Sequence, residues 1–101
     1  MLERIVNVPD MHGDTVGMRV IGKYNIEIIE RFLEISGELT KIENDHNKVN
    51  AAHLILGNLS LKSQEKLMLI ERIVKDKSLI SRDNNQGYSP LNYFIISLTL
   101  N

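Results

Sequence analysis

The sequence predicts an all-α fold, a short array of two to three helix-turn-helix units in one domain over residues 1–101. Three observations predict it. The pattern apolar-Glu-Arg-apolar-apolar recurs at Leu2-Glu3-Arg4-Ile5-Val6, Ile29-Glu30-Arg31-Phe32-Leu33 and Ile70-Glu71-Arg72-Ile73-Val74. Polar turns that match one another begin at Asp10, Asp45 and Asn84, 35 and 39 residues apart. Each turn then runs into a short apolar stretch. Repetition at this size marks a stacked array, because one such unit cannot bury its own apolar face.

The elements follow in order. Arg4-Ile5-Val6-Asn7-Val8 is β-branched enough for a strand, but its counterparts in the later copies carry helical patterns. After the first turn, residues 16–21 form a short helix. Ile26, Ile28, Ile29, Phe32, Leu33 and Ile35 then share most of one helical face, with Glu27, Glu30, Arg31 and Glu34 toward the other. Asn25 caps this longer helix and Gly37 stops it. Residues 51–56 are a second short helix ending near Gly57, and residues 57–62 lengthen the link that follows. Over residues 63–76, Ser63 caps, Glu65 and Lys66 open the helix, and Leu67, Leu69, Ile70, Ile73 and Val74 form the apolar stripe. The two longer helices are expected to pair antiparallel and to bury Ile29 and Ile70. Residues 90–98 make the last short helix, with Pro90 at the first helical position, where its missing N–H has no partner to lose. Tyr93-Phe94-Ile95-Ile96 alone would pass for a strand; the repeat favours helix.

Composition narrows the function classes. The chain is 43% hydrophobic and only 5% aromatic with no Trp, so Ile, Leu and Val must fill the core. Twelve basic and 13 acidic residues are mixed along it, leaving a formal net charge of −1. No basic stripe exists to neutralise phosphates, which argues against nucleic acid as a partner. No apolar run approaches the ~18 residues of a membrane span, so no membrane role is expected. The absence of cysteine excludes disulfides and thiolate metal sites and fits a reducing compartment. The start, Met1-Leu2-Glu3-Arg4, lacks the basic segment and apolar run expected of a signal peptide. The expected location is the cytoplasm, or a host cytosol reached without a signal peptide.

The turns and short helices resemble the ankyrin-repeat family, whose unit carries Asp-x-x-Gly-x-Thr-Pro-Leu-His before a helix pair. Asp10, Gly13 and Thr15 match one unit. Asp45 and His53 match the next. Gly87, Ser89, Pro90 and Leu91 match a third, with Asn92 in place of the histidine. The departures are Val16-Gly17-Met18 and Ala51-Ala52 for the Pro-Leu segment, and Lys48 for the turn glycine. The spacings also exceed the usual ~33 residues. The resemblance implies stacked units and positive φ at Gly13 and Gly87. It also implies a noncatalytic protein-binding module that recognises its partner through turn tips and inner helices. Isoleucine, asparagine and lysine richness resembles proteins of AT-rich genomes, among them ankyrin-bearing effectors of intracellular bacteria and poxviruses.

By position, the partner-binding candidates are Met11, His12, His46, Asn47, Asn85, Gln86 and Tyr88. An alternative role for the same scaffold is a small regulator that binds and inhibits a partner enzyme. Residues 4–14 also resemble the first metal motif of calcineurin-like phosphoesterases through Asp10 and His12, but the further ligands of a two-metal site are missing. His53, beside an apolar run, reads as a structural histidine. His12 and His46 at successive turns lack a third zinc ligand. No catalytic residue, cofactor or metal is expected. Finally, Tyr93, Phe94, Ile95, Ile96, Leu98 and Leu100 are too apolar to face water unaccompanied, and they predict a homodimer through this segment.

Overall fold

The computed structural model describes residues 7–36, 42–74 and 76–100. Its α-helices are α1 (Val16–Lys23), α2 (Ile26–Ser36), α3 (Ala51–Leu56), α4 (Ser63–Ile73) and α5 (Pro90–Leu100), with a 3₁₀ turn at Lys77–Ile80. Among the described residues the only β pairing is a single bridge between Glu43 and Asn50. The chain is all-α. The Glu-Arg copy at residues 2–6 and the stop at Gly37 lie outside the described residues.

A polar side chain starts α1, α3 and α5. Thr15 Oγ1 accepts the Met18 N–H at 3.3 Å, Asn50 Oδ1 accepts those of Ala52 and His53 at 2.8 and 3.3 Å, and Ser89 Oγ accepts that of Asn92 at 3.3 Å. The third helical residue reciprocates. Met18 Sδ, His53 Nδ1 and Asn92 Oδ1 each accept the N–H of their own cap residue. Two orphan donors are thereby satisfied at each start. Asn25 caps α2 as expected, its Oδ1 accepting the Ile28 N–H at 3.1 Å.

α1, α3 and α5 lie side by side in chain order, while α2 packs on α1 and α4 on α3. The expected short helix over residues 90–98 runs on to Leu100, so α5 is as long as α2 and α4 at 11 residues. Ile21, Ile29, Ala52, Ile55 and Leu69 are each 0% exposed and form the shared core. Each large side chain so buried contributes about 1.5–3 kcal/mol.

Several expectations need correction. Leu69, not Ile70, is the fully buried residue of α4; Ile70 is half-buried at the rim of the core. The two longer helices pack chiefly on their own short helices, and meet each other through the ion pair of Arg72 with Glu30 at 3.4 Å. Lys62 rather than Ser63 precedes α4, and its N–H donates to Glu65 Oε1 at 2.8 Å. The helix closes at Ile73, before the expected Asp76, which instead caps the 3₁₀ turn by accepting the Ser78 N–H. Tyr93 to Ile96 are helical, as the repeat favoured over their strand-like composition.

Lys66 supplies a link that the sequence did not announce. Its side chain runs inward, and Nζ donates to the Leu56 carbonyl at 2.7 Å and to Ser97 Oγ at 2.9 Å, above the Phe94 ring at 5.2 Å. One ammonium thus ties α3, α4 and α5 together. Burial pushes its pKa below the ordinary lysine value.

Gly13 and Gly87 adopt φ of +85° and +84°, and Lys48 holds the same kind of position with φ +62°. A side chain in this left-handed region costs roughly 1–2 kcal/mol, part of which glycine's greater freedom in the unfolded chain offsets. Lys48→Gly should therefore raise stability by about 0.5–1 kcal/mol. The urea midpoint should rise with an unchanged slope.

Candidate functional site, a row of turn tips

An amide or carboxylate side chain organises each turn. Asp10 Oδ1 accepts the N–H groups of His12 and Asp14, Asn44 Oδ1 those of His46 and Asn47, and Asn84 Oδ1 those of Gln86 and Tyr88. The backbone closes the same way in all three, with Asp10 N–H to Asp14 O, Asn44 N–H to Val49 O, and Asn84 N–H to Tyr88 O, each at 2.8 Å. Asn44 therefore takes the role expected of Asp45, whose side chain is exposed. The middle turn holds one residue more than the others between its organising side chain and its left-handed residue. That extra residue shifted the match by one position.

Neighbouring turns are stitched to one another. Asn44 Nδ2 donates to the His12 carbonyl at 3.1 Å and to Asp14 Oδ1 at 2.7 Å. Asn85 N–H donates to the Asn47 carbonyl at 2.8 Å, and Asn85 Nδ2 to the His46 carbonyl at 3.2 Å. His53 Nε2, 2.9 Å from the Tyr88 carbonyl, fastens α3 to the third turn. Its Nδ1 accepts the Asn50 N–H, so the proton sits on Nε2 and the ring is neutral. Burial lowers its pKa, with the Tyr88 carbonyl and Asp83 pulling weakly the other way. The Tyr93 ring meets it edge-on at 4.9 Å. His53 is a structural histidine.

The sequence-predicted residues divide between two roles. Met11 is 84% exposed at the first tip and Tyr88 48% exposed at the third. His12, His46 and Gln86 are also exposed. Asn47 and Asn85 instead spend hydrogen-bonding groups on the row itself: Asn47 Oδ1 accepts the Val49 N–H, and Asn85 reaches the second turn. A close approach locks the first two tips, since a Cβ at Gly13 would stand 2.6 Å from Asn44 Oδ1 and 2.9 Å from His46 Cγ. Asn44 and Asn84, which build the row, were not among the expected site residues. Counting back five residues from Ser89, as from Thr15 to Asp10, reaches Asn84, and counting back six from Asn50 reaches Asn44.

Electrostatics at the first turn are local. The hydrogen bond from Arg19 and those from the Asp14 and His12 N–H groups hold the Asp10 carboxyl at about 2, against an ordinary value of 3.8. Asp10 is thus engaged as an anion within its own turn. Among the described residues, no three His, Asp or Glu side chains converge to hold a metal ion. Nor is any described helix long and apolar enough to cross a membrane. Comparison with family models, with curated proteins and with solved structures returned no significant match.

Proposed function

We propose that this chain is a noncatalytic protein-binding module, a short ankyrin-like array that presents its three turn tips as one recognition surface. The observation that carries the reading is the stitching of the turns. Asn44 and Asn85 bond each tip to the one before it, so side chains from three separate segments stand in a fixed row. A surface ordered before binding loses little freedom when a partner docks. Met11 and Tyr88, a flexible thioether at one end and an aromatic at the other, are the anchors, with His12, His46 and Gln86 between them. Such large, partly apolar side chains carry most of the energy in protein interfaces.

Photo-crosslinking tests this. A photoreactive residue at position 11 or 88 should capture the same protein from a cell extract. The same group at Glu34, exposed on α2, should capture nothing in common with them. Met11→Ser combined with Tyr88→Ser should abolish that capture while leaving the thermal midpoint within a few degrees. Different proteins captured at the two ends, or capture unaffected by the double substitution, would refute a shared recognition row.

A further inference from the structure

Three side chains reciprocate the caps of α1, α3 and α5, and one of them titrates. Met18 in α1 offers a thioether and Asn92 in α5 an amide, while His53 in α3 offers an imidazole. His53 also does something more. Its ring is 0% exposed, and its two nitrogens are committed to backbone groups of different segments. Nδ1 accepts the Asn50 N–H at 3.2 Å within the cap of α3, and Nε2 donates to the Tyr88 carbonyl at 2.9 Å in the third turn. The first and second tips are joined differently, by the Asn44 amide reaching the His12 carbonyl.

An imidazolium has two N–H groups and no acceptor. Protonation of His53 would therefore set Nδ1–H against another donor, the Asn50 N–H. The new charge would also find little to balance it. His53 is the only ionisable residue of α3. Of the elements packed on α3, α1 turns Arg19 to Asp10, and α4 turns Lys66 to the Leu56 carbonyl. On the 3₁₀ turn Lys77 is exposed, and the flanking Asp76 and Arg82 pair with each other. From α5 comes the Tyr93 phenol, which accepts from Asn84 Nδ2. Asp83, at the start of the third turn, favours the charged ring, but burial outweighs it and holds the pKa below the ordinary 6.5. Relief comes when the ring swings toward water, and that motion withdraws Nε2 from the Tyr88 carbonyl.

We propose that His53 is a proton-operated latch on the row of tips: protonated, it lets go of the third turn, and Tyr88 leaves the line of anchors. The inference rests on the reading of the tips as one recognition surface and adds its regulation, release of the partner in acid. The sign follows from the burial of the ring. The latch is closed above pH ~6.5 and opens as pH falls from there through the folded value. Apparent affinity falls in proportion to the latched fraction, about tenfold where one molecule in ten stays latched.

The chain has no cysteine, so Met11→Cys with Gln86→Cys gives two labelling sites, on the first and third tips. Pulsed electron paramagnetic resonance of nitroxides there should show one narrow distance at pH 7.5. At pH 4.5 the distribution should be about twofold broader or more, with the helical circular dichroism retained. Two variants separate a latch from a merely structural histidine. His53→Gln keeps an uncharged donor for the Tyr88 carbonyl and should stay narrow at both pH values. His53→Asn, which caps as Asn92 does but is too short to reach the third turn, should be broad at both. His12 and His46 remain in every variant, so these differences report position 53 alone. Capture through a photoreactive residue at position 88 should fall about tenfold over the same pH range, and should hold in His53→Gln. No partner enters the distance measurement, so the latch can fail with the recognition reading intact, and that reading can fail at pH 7.5 with the latch intact. A distribution unchanged down to pH 4.5, equal broadening in His53→Gln, or loss of the helical signal together with the row would overturn the latch.

Discussion

His53→Ala is expected to remove about 3–5 kcal/mol of folding stability, a large share of the 5–15 kcal/mol typical of a small domain. The ring is 0% exposed, so its loss leaves a cavity beneath the Tyr93 ring. It also strands two backbone groups, the Asn50 N–H and the Tyr88 carbonyl, at roughly 1–3 kcal/mol each where no water replaces the imidazole. The same residue gives the fold a pH dependence with a defined sign. Burial holds its folded pKa below the ordinary 6.5, so the unfolded chain takes up a proton that the folded chain refuses. The contribution is complete above pH ~6.5 and is lost as pH falls from there through the folded value. Urea midpoints at pH 7.5 and 5.5 should differ for the native chain. His53→Asn should lose much of that difference, because asparagine at the matching position of α5 already reciprocates the cap without titrating there. Asp10, whose folded value is about 2, titrates in a separate window below pH ~4.

Asn58→Ala should cost a comparable ~3–5 kcal/mol through a different mechanism. Asn58 is 0% exposed, and its Nδ2 donates to the carbonyls of Ile21 at 2.8 Å and Tyr24 at 3.0 Å. Its Oδ1 accepts the Ser60 N–H at 2.7 Å. One side chain closes the end of α1 and folds the link between α3 and α4. Three backbone groups lose their partner together when it is removed. The thermal midpoint should fall by roughly 15 °C or more. Substituting the adjacent exposed Leu59 by alanine should move it by only a few degrees.

Much of the fold was legible because capping is local. Asn25 and Pro90 each mark a helix start within a few residues of sequence, and both do so in the structure. Which face of α4 turns inward was not legible. Leu69 and Ile70 suit either register of an apolar stripe, and the choice depends on α3 and on Lys66 reaching the Leu56 carbonyl, a tertiary contact. Lys66 itself read only as one of the residues that open the helix. The exposed turn tips were legible as polar loops between periodic segments. Their stitching was not, since Asn44 and Asn85 work across separations of 32 and 39 residues.

The brevity of α3 carries a consequence for how the chain assembles. At six residues it is well below the length at which a helix nucleates and persists alone in water. Yet α1, α4, α5 and the 3₁₀ turn all rest on it. Its order is borrowed from the elements that need it as a support. Neither half of the chain can then be stably formed ahead of the other, because each half lacks its foundation until α3 is held from both sides. An array that could in principle unravel one unit at a time is bound into a single cooperative transition by its least autonomous segment.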